Sequence, residues 1–160
     1  MEERFMKAAI GQAKLAAKKG EVPVGAVIVR DGEIIARAYN TRETDKNALC
    51  HAEIKAIRKA CKKLGGWRLT RCELYVTLEP CPMCAGAIVN SRIVTVYYGA
   101  SDKKAGAFGT LFDMNGMGLN HRPEIMGGVM EEDCAKLLSD FFADLRKRKK
   151  AEKLAEKTTF

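Results

Sequence analysis

Two short stretches of the sequence carry reactive side chains at fixed spacing: His51-Ala52-Glu53, and Pro80-Cys81-Pro82-Met83-Cys84. One imidazole and two thiols make a zinc ligand set with a position to spare. Three protein ligands leave the fourth tetrahedral position to water and lower the pKa of that water to about 7, whereas a fourth protein ligand would close the site. His51, Cys81 and Cys84 are therefore the candidate ligands of one Zn2+ per chain. A neutral imidazole with two thiolates leaves the centre formally uncharged and a modest Lewis acid, so a carboxylate is needed to take the proton of the bound water. Glu53 is the candidate for that role.

The pairing of His-x-Glu with Pro-Cys-x-x-Cys matches the signature of zinc-dependent nucleobase deaminases. A bare Cys-x-x-Cys also serves zinc ribbons and redox pairs, and the upstream His-x-Glu together with Pro80 narrows that choice. The alternative is a closed structural knot with Cys50 as fourth ligand, although its adjacency to His51 makes joint ligation awkward. With two thiols assigned to zinc and a reducing compartment expected, Cys50, Cys61, Cys72 and Cys134 read as packed thiols, not disulfides. His121 reads as a loop residue and not as a ligand.

The elements that must position these residues follow from periodicity. Residues 2–19 form an amphipathic pattern with Phe5, Ala9, Ala13 and Ala16 on one side, ended by Gly20. Val22–Val29 and Glu33–Tyr39 are β-rich runs joined through Asp31-Gly32, a strong hairpin signal. Polar residues 40–47 form a loop that delivers the chain to a helix over about 50–64, with Ile54, Ile57, Cys61 and Leu64 on one face and His51 and Glu53 in its first turn. Cys72–Leu78 is a strand, and Pro80 or Pro82 starts a helix that puts Cys81 and Cys84 on one face of its first turn, where the helix N-terminus favours thiolates. Ile93–Gly99 is a further strand, followed by a long loop over 101–121 and a short last strand within 123–129. Cys134, Leu137, Leu138, Phe141, Phe142 and Leu145 keep helical spacing and read as core.

This alternation predicts an α/β sandwich, three layers around one mixed five-stranded sheet. A length of 160 residues, 47% of them hydrophobic and 30% charged, fits one domain over 1–160 with a sizeable core. The first residues contain neither a signal peptide nor an apolar run of membrane length, so a cytoplasmic protein that does not engage membranes is expected. The net charge of +8 is uneven: residues 146–160 hold seven basic residues against Glu152 and Glu156. Arg146, Lys147, Arg148, Lys149 and Lys150 are the densest patch of this helical tail, suited to RNA phosphates or simply a solvated helix end.

Beyond the zinc motif, most of the chain resembles the bacterial tRNA-specific adenosine deaminases. The resemblance rests on EVPVGAV at 21–27, Asn40, HAEI at 51–54, LYVTLEPCPMCAGA at 74–87, SRI at 91–93, GASDKKAGAFGT at 99–110, NHRPEI at 120–125 and the Phe141–Phe142 pair. Cys50, where a small residue is usual, and Thr110, where serine is common, depart from the pattern without removing a catalytic group. The resemblance implies a cytidine-deaminase-like fold, a homodimer, and conversion of adenosine to inosine at the wobble position (34) of a tRNA anticodon stem-loop. It implies that His51, Cys81 and Cys84 hold zinc while Glu53 shuttles protons between water, purine N1 and departing ammonia. Asn40, Ala52 and Asp102 become substrate-binding positions, Asn40 towards the purine and Asp102 near the RNA backbone. Read from the residues alone, Asn40 caps a strand and Asp102 caps a turn.

Two other functions share parts of this pattern. A free-base enzyme, a guanine or cytosine deaminase, needs the same zinc chemistry but no basic tail. A non-enzymatic RNA-binding module with structural zinc has no use for Glu53. A dimer would also account for apolar Met114 and Met117 in the long loop.

Overall fold

The computed structural model describes residues 1–159. Helix α1 (Glu3–Lys18) leads into a hairpin of β1 (Gly25–Arg30) and β2 (Glu33–Tyr39). Then come α2 (Ala52–Leu64), β3 (Cys72–Leu78), α3 (Pro82–Ser91) and β4 (Thr95–Ala100). A 3-10 turn over Met114–Met117, the short β5 (Glu124–Met126) and the long α4 (Glu131–Thr158) complete the chain.

The strands form one mixed sheet in the order β2-β1-β3-β4-β5. β1 runs antiparallel to both β2 and β3, while β3–β4 and β4–β5 are parallel. Successive strand side chains point to opposite faces, and here both faces are covered. Ala26 and Ile28 of β1 join Leu74 and Val76 of β3 in a core closed by Ala52, Ala56 and Ala60 of α2 and Ala85 and Ile88 of α3. Val27, Val29 and Tyr75 face the other way, into a core closed by Phe5, Met6, Ala9 and Ile10 of α1 and Cys134 of α4. The expected three-layer α/β/α sandwich results. Burial on both faces explains why β3 and β4 read as nearly continuous apolar runs.

The Asp-Gly turn forms as expected, with Asp31 at φ 51° and Gly32 at φ 77°. β1 begins at Gly25, not Val22, because Pro23 offers no N–H to a ladder and the Val24 N–H turns back to the Val22 carbonyl at 2.9 Å. The face that α2 lays on the sheet is also not the one its large residues mark. Ala52, Ala56 and Ala60 are fully buried, whereas Ile54, Ile57, Cys61 and Leu64 are only half-buried along its flank. Small side chains at four-residue spacing let the helix approach the strands closely.

The C-terminal aromatics depart further from the sequence reading. Cys134 is buried and Leu137 and Leu138 pack against the α1-side core. Phe141 is half-buried, Phe142 is 40% exposed, and the two rings meet edge-on at 5.4 Å. Neither belongs to a core of this chain, because helical spacing puts residues on one face without supplying a surface to cover it. From Arg146 to Thr159 every residue is exposed, so the last turns of α4 stand off the sandwich by about 20 Å of helix. Met114 packs on its own chain against the α2-side core, which leaves Met117 as the exposed one of the two. All six cysteines are free thiols, with Cys50, Cys72 and Cys134 buried and Cys61 half-buried. Among the described residues no helix is long and apolar enough to cross a membrane.

Candidate active site

α2 and α3 lie side by side on one face of the sheet, and their N-termini present the ligand residues. His51 is the N-cap of α2, with extended backbone, and its carbonyl accepts the Lys55 N–H to open the helix. It therefore sits just ahead of the first turn where the sequence had placed it. Cys81 is the equivalent N-cap of α3, Pro82 follows at its first position, and Cys84 lies one turn in.

His51 Nδ1 is 3.6 Å from Cys81 Sγ and 3.5 Å from Cys84 Sγ, and the three donor atoms all lie within 4.8 Å of one another. Zinc at about 2.3 Å from sulfur and about 2.0 Å from nitrogen in a tetrahedron sets nitrogen and sulfur roughly 3.5 Å apart. The donor set fits such an ion. Cys50, though adjacent and buried, does not join the group, and neither does His121, whose Nε2 is 2.7 Å from the Ile93 carbonyl.

The thiols share protons unequally. A hydrogen bond from Cys84 outweighs burial and, with one from His51, holds Cys81 down to about 4. The Cys84 thiol is pushed up by that same hydrogen bond to Cys81 and then by burial. His51 is raised, chiefly by its hydrogen bond to Cys81. The mutual hydrogen bond of the two thiols thus favours negative charge on Cys81 over Cys84.

Glu53, in the first turn of α2, is only 4% exposed. Burial raises its carboxyl to about 7, against the lowering effect of its own backbone amide and of His51. An acid that titrates near neutrality both accepts and returns a proton at little cost, which suits a proton carrier.

Glu53 opens into a pocket that also takes in His51, Ala52 and Cys81, with Val22, Val24, Asn40 and Arg42 from one part of the chain and Leu78, Glu79, Asp102 and Ala105 from another. The structure thus brings Asn40, Ala52 and Asp102 to the ligand cluster. Asn40 is buried and bridges two segments: its Nδ2 donates to the Val22 carbonyl at 3.2 Å and its Oδ1 accepts the Arg42 N–H at 3.1 Å. The amide keeps one further N–H and one further lone pair for a ligand. Asp102 caps its turn, its Oδ1 accepting the N–H groups of Lys104 and Ala105 at 3.0 and 3.2 Å, and lines the pocket as well. Arg146, Lys147, Arg148, Lys149 and Lys150 do not line it; they are exposed on α4, with Arg148 paired to Asp144 one turn earlier.

Two buried glutamates were not visible from the sequence. Glu21, 1% exposed, accepts the N–H groups of Glu43 and Thr44 at 3.0 and 2.7 Å and so fastens the loop that carries Arg42. Burial would raise its carboxyl, but the hydrogen bonds from Thr44 and Glu43 hold it below the usual range. Glu79, 2% exposed, gathers donors from residues 102–110. A glutamate in a run of sequence reads as solvent-facing, and its donors lie more than 20 positions away.

The family model of the MafB19-like deaminases matches residues 1–146. The chain is 56% identical over 151 residues to the tRNA-specific adenosine deaminase of Bacillus subtilis (strain 168), covering 94% of each. It is 45% identical over 150 residues to the enzyme of that name from Streptococcus pyogenes serotype M1, covering 93% of this chain and 88% of the other. The chain belongs to the tRNA-specific adenosine deaminase family. Its fold superposes on a solved tRNA:A34 deaminase, from work on A-to-I editing at the wobble position of transfer RNA, with a TM-score of 0.80 at 42% identity over 86% of this deaminase and all of that chain. A guanine deaminase from Bacillus subtilis matches less of it, with a TM-score of 0.60 at 47% identity over 63% of this chain and 65% of the other.

Proposed function

We propose that this deaminase converts adenosine to inosine at wobble position 34 of a tRNA anticodon, using one zinc ion per chain held by His51, Cys81 and Cys84. The observation that carries this reading is the convergence of those three donors with the buried Glu53, on a chain 56% identical to a tRNA-specific adenosine deaminase. The whole chain acts as one domain with a basic tail over 146–160, helical as far as Thr158 and with residue 160 outside the described residues, works in the cytoplasm, and forms a homodimer. Support for the last two comes from the resemblance of the sequence to that family.

When bound, zinc supplies a Lewis acid that makes water nucleophilic near neutral pH. The protein's own residues do the rest. Glu53 takes a proton from the attacking water and delivers it to purine N1 as the C6–O bond forms. The same carboxyl then passes the second water proton to the amino group as the C6–N6 bond breaks, so ammonia leaves and inosine keeps its N1–H. The free N–H and lone pair of Asn40 orient the purine edge, and Val22, Val24 and Leu78 offer carbon surface to a ring. A paired and stacked adenine cannot reach so enclosed a carboxylate, whereas an unpaired anticodon base is splayed out cheaply. The exposed residues Arg146–Lys150 contribute phosphate contacts.

The test offers equal concentrations of an adenosine-34 anticodon stem-loop, free guanine and free cytosine, and follows inosine, xanthine and uracil. Inosine in the RNA alone is expected. Turnover of a free base with untouched RNA would replace this reading with a free-base deaminase.

A further inference from the structure

We propose that Glu79 is a positioning residue for this site: its buried carboxylate docks the 102–110 loop, and with it Asp102 and Ala105, onto the segment that carries Cys81. The inference rests on the wobble-adenosine reading only in assigning Asp102 and Ala105 to the substrate side.

Glu79 follows the last residue of β3 and precedes Cys81 by two positions. Its Oε1 accepts the Asp102 N–H at 3.3 Å, and its Oε2 accepts the N–H groups of Phe108 and Thr110 at 3.1 and 3.2 Å. The Thr110 hydroxyl also donates to Oε1. A carboxylate this deeply buried is tolerable only when its lone pairs are met by donors, and here every donor comes from the one loop. A neighbouring bond secures the same junction, the Ala107 N–H reaching the Pro80 carbonyl at 2.9 Å.

The loop is shaped to wrap this carboxylate. A Cβ on Gly106 would lie 2.5 Å from Glu79 Oε2 and 2.5 Å from the Asp102 carbonyl oxygen, so no larger residue fits there. Asp102 already folds its own turn through Lys104 and Ala105. The turn therefore keeps its shape without Glu79, and what the carboxylate supplies is its placement. Placement is what catalysis is sensitive to, since an error of about 1 Å in a substrate-positioning group can cost roughly 100-fold.

The experiment compares Glu79→Gln, Asp102→Ala, the double variant, Thr110→Ser and Thr110→Val in the full-length, zinc-loaded protein. Glutamine keeps the shape but turns an N–H towards a cluster of donors. Glu79→Gln should keep its zinc, exchange the amides of Asp102, Phe108 and Thr110 faster than wild type, and lose roughly 100-fold in kcat/KM on the anticodon stem-loop. Thr110→Ser, which keeps the hydroxyl, should match wild type, and Thr110→Val should shift in the direction of Glu79→Gln. Because Glu79 acts largely by placing Asp102, the double variant should lose clearly less than the product of the two single losses. Multiplying losses in the double variant, or unchanged amide exchange in Glu79→Gln, would overturn the proposal. If Glu79→Gln does not fold, Thr110→Val carries the same exchange and double-variant measurements. Faster exchange beside a wild-type protein that leaves the stem-loop untouched would uphold the docking and reject the wobble-adenosine reading instead.

Discussion

His51 and Cys81 hold the same structural position, the N-cap of α2 and of α3, and their Nδ1 and Sγ atoms lie 3.6 Å apart although 30 residues separate them in the chain. Two helix N-termini thus converge on one point, where their partial positive charge favours the thiolates. Such a junction is held by the packing of α2 and α3 on the sheet as much as by the donors themselves.

Replacing Cys81 by Ser should lower zinc content below one per chain and lower the thermal midpoint, since metal that binds only the folded chain stabilises it by about 2.7 kcal/mol at a hundred times its dissociation constant. Elemental analysis and thermal unfolding of the same preparation check both halves. Full zinc in this variant would show that other thiols hold the ion.

Glu53→Gln should retain zinc and the wild-type thermal midpoint while losing roughly 10²- to 10⁴-fold in turnover, the range for removing a general acid–base group. Single-turnover kinetics on the stem-loop measure it. Near-wild-type rates would take the proton transfers away from this carboxyl.

Zinc affinity should rise with pH. The Cys84 thiol is raised and so remains protonated at neutral pH, whereas Cys81, at about 4, is already ionised. Binding at pH 7 therefore displaces the Cys84 proton, and affinity should change about tenfold per pH unit. His51 is raised above its ordinary value, so at lower pH it too holds a proton that zinc must displace, and the slope should steepen towards a hundredfold per unit. Competition with a chelator across pH 5 to 8 gives the slope; a flat profile would exclude ligation by these thiols.

Deleting residues 146–160 should weaken RNA binding and flatten its salt dependence without loss of zinc. If all of Arg146–Lys150 meet phosphates, the slope of log K against log salt should fall by about 4. Because every described residue of that segment is exposed, the thermal midpoint of the sandwich should stay in place. An unchanged salt slope would confine the RNA contacts to the body of the protein.

The convergence of His51, Cys81 and Cys84 beside Glu53 was legible because these donor types stand at local spacing in two short motifs, and the fold brings the three donor atoms within 4.8 Å of one another. β2 and β3 were legible at their observed bounds because turn residues and β-branched runs delimit them. The buried face of α2 was misread because alanines carry little weight in a hydrophobic pattern, yet they are what a helix lying close to a sheet requires. Phe141 and Phe142 were misread as core because periodicity cannot tell a covered face from an uncovered one. Glu21 and Glu79 leave no mark in the sequence pattern, because a glutamate declares itself buried only through distant backbone donors.

The strand order has a consequence for synthesis on the ribosome. β2 pairs with β1 as a local hairpin, and each later strand joins the edge left open by those before it: β3 beside β1, β4 beside β3, β5 beside β4. The sheet can therefore grow outward in the order in which its strands emerge, without reopening a pair already made. His51, Cys81 and Cys84 have all been translated before β4 appears, so the nascent chain holds the whole imidazole–thiol cluster while its growing edge is still bare. The three-residue β5 then ends the growth, leaving at the rim a strand too short to recruit another chain.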